Sequence, residues 1–150
     1  MKCLRQNLDL PNLSKSKLLP DFGRGTAQTG SEASTEAVID YKVTSNGSAV
    51  VETLFPGTPH EMISVYHDNH NGKLTMTHYC AFGNQPKLDL VKLESGQLDF
   101  ELSPSSDIPA GEDHMHSLKI AIEDNKLTQT WTCEKSGKPG EPTVISVEKI

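Results

Sequence analysis

Cysteine is scarce in this chain. Cys3, Cys80 and Cys133 form an odd set with no Cys-x-x-Cys spacing. A zinc site made of cysteine alone would need four thiolates and is excluded; a disulfide framework is not expected either. The odd thiol count agrees with a reducing compartment, so the cytoplasm is the expected location. Long apolar runs are also missing: nothing approaches the roughly 18 consecutive apolar residues of a transmembrane helix. The opening residues Met1-Lys2-Cys3-Leu4-Arg5 have no apolar stretch behind them, which argues against a secretory signal. Nor is there an excess of cations. With 14 Lys+Arg against 20 Asp+Glu and a net charge of −6, the main electrostatic reason to bind nucleic acid or an anionic membrane is absent. No Gly-x-Ser-x-Gly elbow occurs, and no glycine cluster has the spacing of a phosphate-binding loop.

What is present is a chain of 150 residues, 35% apolar, enough for one core and one domain. It divides near residue 35. Residues 1–34 carry Pro11, Pro20, Gly23, Gly25 and Gly30 among polar residues and read as a tail and lead-in. Asn12 to Leu19 could form two helical turns that stop at Pro20. From Thr35 onward, short alternating runs are separated by turn residues. Glu36–Val43 places Ala37, Ile39, Tyr41 and Val43 on one face, the period-2 pattern of a half-buried strand. Asn46-Gly47 marks a hairpin. Further strands are predicted at Ser48–Phe55, His60–His67, Lys73–Ala81, Lys87–Leu93, Gln97–Leu102, His116–Ile122, Leu127–Glu134 and Thr143–Glu148. About nine such strands with no long helix between them indicate an all-β antiparallel meander, over residues 35–150. Closure into an up-and-down barrel would remove the edge strands, so a barrel is preferred to a sandwich.

Register decides which polar residues meet. Pairing Phe55 with His60 and Tyr66 with Leu74 turns Val51, Thr53, His60, Met62, Ser64, Tyr66, Met76, His78 and Cys80 inward, and Glu52 and Glu61 outward. A one-residue slip reverses the assignment. Pairing Ile122 with Leu127 sets Leu118 against Trp131 and His116 against Cys133, with His114 on the same face. Four histidines and two cysteines then gather at one rim, above a wall of methionine and aromatic residues. Three chemistries compete for this constellation. One is a polar network that satisfies buried imidazoles. Another is a small-molecule or haem pocket, with one histidine as axial ligand. The third is a transition-metal site using His114 and His116, which share a strand face. Residues expected to touch a ligand are His60, Met62, Tyr66, Met76, His78, Cys80, His116 and Trp131. In the enzymatic alternative, Glu52 or Glu61 would be a general base beside a metal at the rim.

Several blocks carry a family resemblance: Gly47-Ser48-Ala49-Val50-Val51-Glu52-Thr53-Leu54, Pro59-His60-Glu61-Met62, Thr77-His78-Tyr79-Cys80, Gly83-Asn84-Gln85-Pro86 and His114-Met115-His116. Over roughly residues 24–150 the chain resembles uncharacterised bacterial lipocalin-like proteins. These are distantly similar to the calycin-like barrels that include fatty-acid-binding and nitrobindin-type haem proteins. The resemblance implies a small apolar or amphipathic ligand, possible haem among them, in the barrel interior. It also implies a late histidine as haem ligand, and His116 is the nearest by order. One departure stands out: such barrels often begin with Gly-x-Trp, whereas Leu19-Pro20-Asp21-Phe22-Gly23-Arg24-Gly25 has no tryptophan.

Overall fold

The computed structural model describes residues 22–149. Its elements are strands β1 (Phe22–Thr29), β2 (Thr35–Thr44), β3 (Ala49–Leu54), β4 (Met62–Asp68), β5 (Leu74–Tyr79), β6 (Lys87–Glu94), β7 (Gln97–Leu102), β8 (His114–Glu123), β9 (Lys126–Lys135), the two-residue stub β10 (Lys138–Pro139) and β11 (Thr143–Lys149). A single 3₁₀ turn, Ser45–Gly47, is the one helical element among the described residues. Each strand from β1 to β9 pairs antiparallel with the next, β9 pairs with β11, and β11 returns to β1. Ten strands therefore close an up-and-down barrel with no free edge, as expected from the meander pattern and consistent with a calycin-like fold. No helix among the described residues is long and apolar enough to cross a membrane.

The barrel begins earlier than the sequence pattern indicates. β1 lies inside the segment read as a lead-in, and it completes the ring between β2 and β11. Its alternation is hidden because the residues that fall on the buried face, Gly23 and Ala27, are small. Gly25 has a steric reason of its own: a Cβ there would lie 1.8 Å from the Ser146 carbonyl oxygen on β11. We expect Gly25→Ala to lower the thermal midpoint, at a cost of about 2 kcal/mol, since the strand must shift to relieve the overlap. A calorimetric scan beside the parent protein checks this. The helix expected over Asn12–Leu19 lies outside the described residues.

The core is the barrel interior. Ile39, Leu54, Met76, Leu88, Phe100, Leu118, Leu127, Ile145 and Val147 are among its buried apolar side chains, contributed by strands all around the ring. Connections differ sharply between the two ends. At one end they are short turns, such as Ser95–Gly96 and Asp124–Asn125. At the other, longer loops span residues 30–34, 55–61, 80–86, 103–113 and 136–142. The long-loop end is where a scaffold of this kind usually carries its binding residues.

Candidate functional site

Two shifts in register decide what faces inward. Across β4 and β5, Ser64 faces His78 and Tyr66 faces Met76, two residues from the expected pairing. A shift of two preserves the faces, so Met62, Ser64, Tyr66, Met76 and His78 do turn inward. Across β3 and β4 the pairing is Glu52 with Ser64 and Leu54 with Met62, one residue from expectation. The connecting segment runs over 55–61 rather than 56–59, because Phe55 takes a left-handed backbone with φ 52° and leaves the strand. Its N–H still reaches the Val38 carbonyl of β2 at 3.0 Å, the last rung of the β2–β3 ladder. Parity flips, and Val50, Glu52 and Leu54 point inward in place of Val51 and Thr53.

Glu52, expected on the solvated face, is thus fully buried in the barrel. Tyr66 donates to both of its oxygens at 3.2 Å, and the Gln129 amide donates at 2.6 Å. The hydroxyls of Tyr41 and Ser64 also hydrogen-bond to it. Gln129 is held in turn by the Trp131 indole N–H, 2.8 Å from its Oε1. None of these partners is cationic. Burial therefore raises the Glu52 pKa despite the donors around it. Burial and the nearby carboxylate push Tyr41 and Tyr66 well above the ordinary tyrosine value.

His78 continues the network toward the long-loop end. Its Nδ1 lies 2.9 Å from Ser64 Oγ, and its ring rests against Trp131 with centroids 4.5 Å apart. Which of Ser64 Oγ and His78 Nδ1 donates follows from the ring's tautomer, and either way Nδ1 is satisfied and Nε2 is the ring nitrogen left over. Nε2 is buried and has no hydrogen-bond partner. Burial depresses the His78 pKa to about 4, so the ring is neutral at pH 7. A small cavity of about 30 Å³ opens beside it, lined by Leu54, Phe55, Met62, His78, Met115, Trp131, Thr143 and Ile145. At roughly 10–15 Å³ per water site, that is room for about two water molecules. A wider hollow of about 380 Å³ lies on the outer wall, between Asp99, Glu101, Lys119 and Thr130. There Asp99 stands opposite Lys119 across β7 and β8 on an open sheet surface, with no buried polar group directed at it.

The expected rim constellation is divided. Met62, His78 and Trp131 line the cavity, while Tyr66 and Met76 pack deeper as core. His60 is exposed in the 55–61 connection rather than facing inward. Glu61 is exposed beside it and accepts the Gly57 N–H at 2.6 Å. Cys80 sits half-buried just beyond β5, its thiol pKa raised chiefly by burial. A bulge between Met115 and Ser117 separates His114 and His116 from the inward face: Met115, not His116, stands opposite Cys133, while Leu118 still faces Trp131. The extra residue changes the phase of alternation, so the two histidines turn outward toward Glu134. His114 Nε2 and His116 Nδ1 are 3.1 Å apart, and both approach Glu134 Oε2.

Haem does not fit the space beside His78. Ligand pockets for molecules of drug size usually enclose about 300–1,000 Å³, and the space beside His78 is about 30 Å³. His116, the histidine that the resemblance points to, is on the outer wall. No protein-family model matches the chain, and no curated protein is similar to it in sequence. The resemblance to lipocalin-like proteins therefore rests on the quoted blocks, and the closed ten-stranded barrel is what the structure adds to it.

Proposed function

We propose that the long-loop end of the barrel binds a small neutral amphipathic molecule, with a hydroxyl or N–H head hydrogen-bonded to His78 Nε2. The observation that carries this reading is the buried, unpartnered His78 Nε2 lining an otherwise apolar cavity. An orphaned buried polar atom costs roughly 1–3 kcal/mol, and a hydrogen-bonding group from a ligand removes that cost. The space admits the head and its first carbons; Phe55, Met62 and Met115 offer apolar contact to the rest. No Lys or Arg lines the cavity, so a carboxylate head is disfavoured. This narrows the ligand class expected from the resemblance and disfavours fatty acids at this cavity.

Trp131, the only tryptophan, touches His78 and gives a single indole N–H resonance to follow. Titration with 1-octanol is expected to shift that resonance saturably, and octanoate is expected to leave it unmoved. His78→Phe should weaken octanol binding about fivefold, the worth of one hydrogen bond of about 1 kcal/mol. Equal response to octanoate, or unaltered octanol affinity in His78→Phe, overturns the proposal. A second reading, a closed barrel with a structural or interaction role, is favoured by the filled interior; it gains if neither probe binds.

A further inference from the structure

The geometry points to a zinc site on the outer wall of the long-loop end, formed by His114, His116 and Glu134. This site shares no residue with the His78 cavity and stands or falls separately from it. Three ligand atoms converge there: His114 Nε2 to His116 Nδ1 is 3.1 Å, His114 Nε2 to Glu134 Oε2 is 3.4 Å, and His116 Nδ1 to Glu134 Oε2 is 2.7 Å. A zinc ion with bonds of about 2.0–2.1 Å at tetrahedral angles places its ligand atoms about 3.3 Å apart. The triangle is therefore close to the one an ion would require, without rearrangement of either strand.

A second observation concerns the proton on His114. Its Nδ1 lies 2.7 Å from the Glu112 carbonyl oxygen, which only a ring N–H can satisfy. In the neutral ring that leaves Nε2 as a lone pair directed at the cluster, with the other nitrogen oriented by a backbone carbonyl. Metal-ligating histidines characteristically have that arrangement. A cation at the centre would take a lone pair from each of His114 Nε2, His116 Nδ1 and Glu134 Oε2, with His116 carrying its ring proton on Nε2.

The β8 bulge is what makes the convergence, since it turns His116 toward Glu134 while Met115 takes the inward position. Two imidazoles and one carboxylate suit zinc better than calcium or magnesium, which prefer oxygen. His114 is buried and the other two are half-buried. Three protein ligands leave a fourth position for water.

The test uses tag-free protein and zinc or cobalt salts. Calorimetric titration with Zn²⁺ should give one equivalent bound, and Co²⁺ should give the intense visible absorption of a tetrahedral complex. His116→Ala and Glu134→Gln, both at half-buried positions, should each weaken Zn²⁺ binding at least tenfold. The double variant His60→Ala/His70→Ala, which removes two exposed imidazoles, should bind as the parent does. Sub-stoichiometric binding by the parent, or unchanged affinity in both His116→Ala and Glu134→Gln, overturns the assignment. Zinc lost only in the His60/His70 variant does so as well.

Discussion

Glu52→Ala is expected to lose about 4 kcal/mol of stability, a large share of the roughly 5–15 kcal/mol that holds a domain folded. The loss has two sources. Truncation leaves a cavity in a core that cannot fully collapse, and it strands the donors of Tyr66, Gln129, Tyr41 and Ser64, which converge on this one carboxylate. Urea denaturation read as a midpoint shift at constant slope measures it. Glu52→Gln keeps the volume but sets an amide N–H against donors, and should cost about 1–2 kcal/mol. Its pH dependence separates charge from packing. The folded pKa of Glu52 is raised, so its contribution is fully present below the unfolded value of 4.5 and is lost as pH rises through the folded pKa. The gap between parent and Glu52→Gln should therefore narrow as pH rises over that range. A gap that stays constant means the carboxyl does not titrate there.

Residues whose neighbours are fixed by alternation were legible in the sequence, and residues whose placement depends on turn parity were not. Tyr41, Met62, Ser64, Tyr66, Met76 and His78 sit on strands with one clearly apolar face, and an error of two in register leaves such faces intact. β3 reads Ala-Val-Val-Glu-Thr-Leu, with apolar residues on both faces. Only the length of the 55–61 connection decided its orientation, and the left-handed Phe55 that sets this length has no composition signal. The alternation alone therefore puts Glu52 on the wrong face. The bulge in β8 is a similar case. His114 to Ile122 form an unbroken alternation in sequence, and the inserted residue is visible only in the pairing with β9. β1 has no signal in the sequence because a buried strand face made of glycine and alanine leaves no hydrophobic period to read. The closed meander itself depended on none of these, since nine turn-separated strands already demanded a partner for their edges.

Acidification should destabilise the protein through His78. Its pKa falls from 6.5 in the unfolded chain to about 4 in the barrel, where burial penalises the imidazolium. A depressed pKa contributes stability that is present above 6.5 and lost as pH falls through 4, a difference of about 3 kcal/mol by pH 4. His78→Phe should remove this slope, so the parent's advantage shrinks toward pH 4; equal slopes for parent and variant over that range exclude the buried neutral ring. Glu52 acts in the opposite sense over an overlapping range, because its raised pKa favours the fold at low pH. The two groups meet through Ser64, whose Oγ lies 2.9 Å from His78 Nδ1 and which also hydrogen-bonds Glu52. Burial thus drives both ends of one hydrogen-bonded chain toward their neutral forms, and the parent's own pH profile is a partial cancellation. Each single variant exposes the slope of the other group. The double variant Glu52→Gln/His78→Phe should be flatter than either, and it tests whether one network sets both.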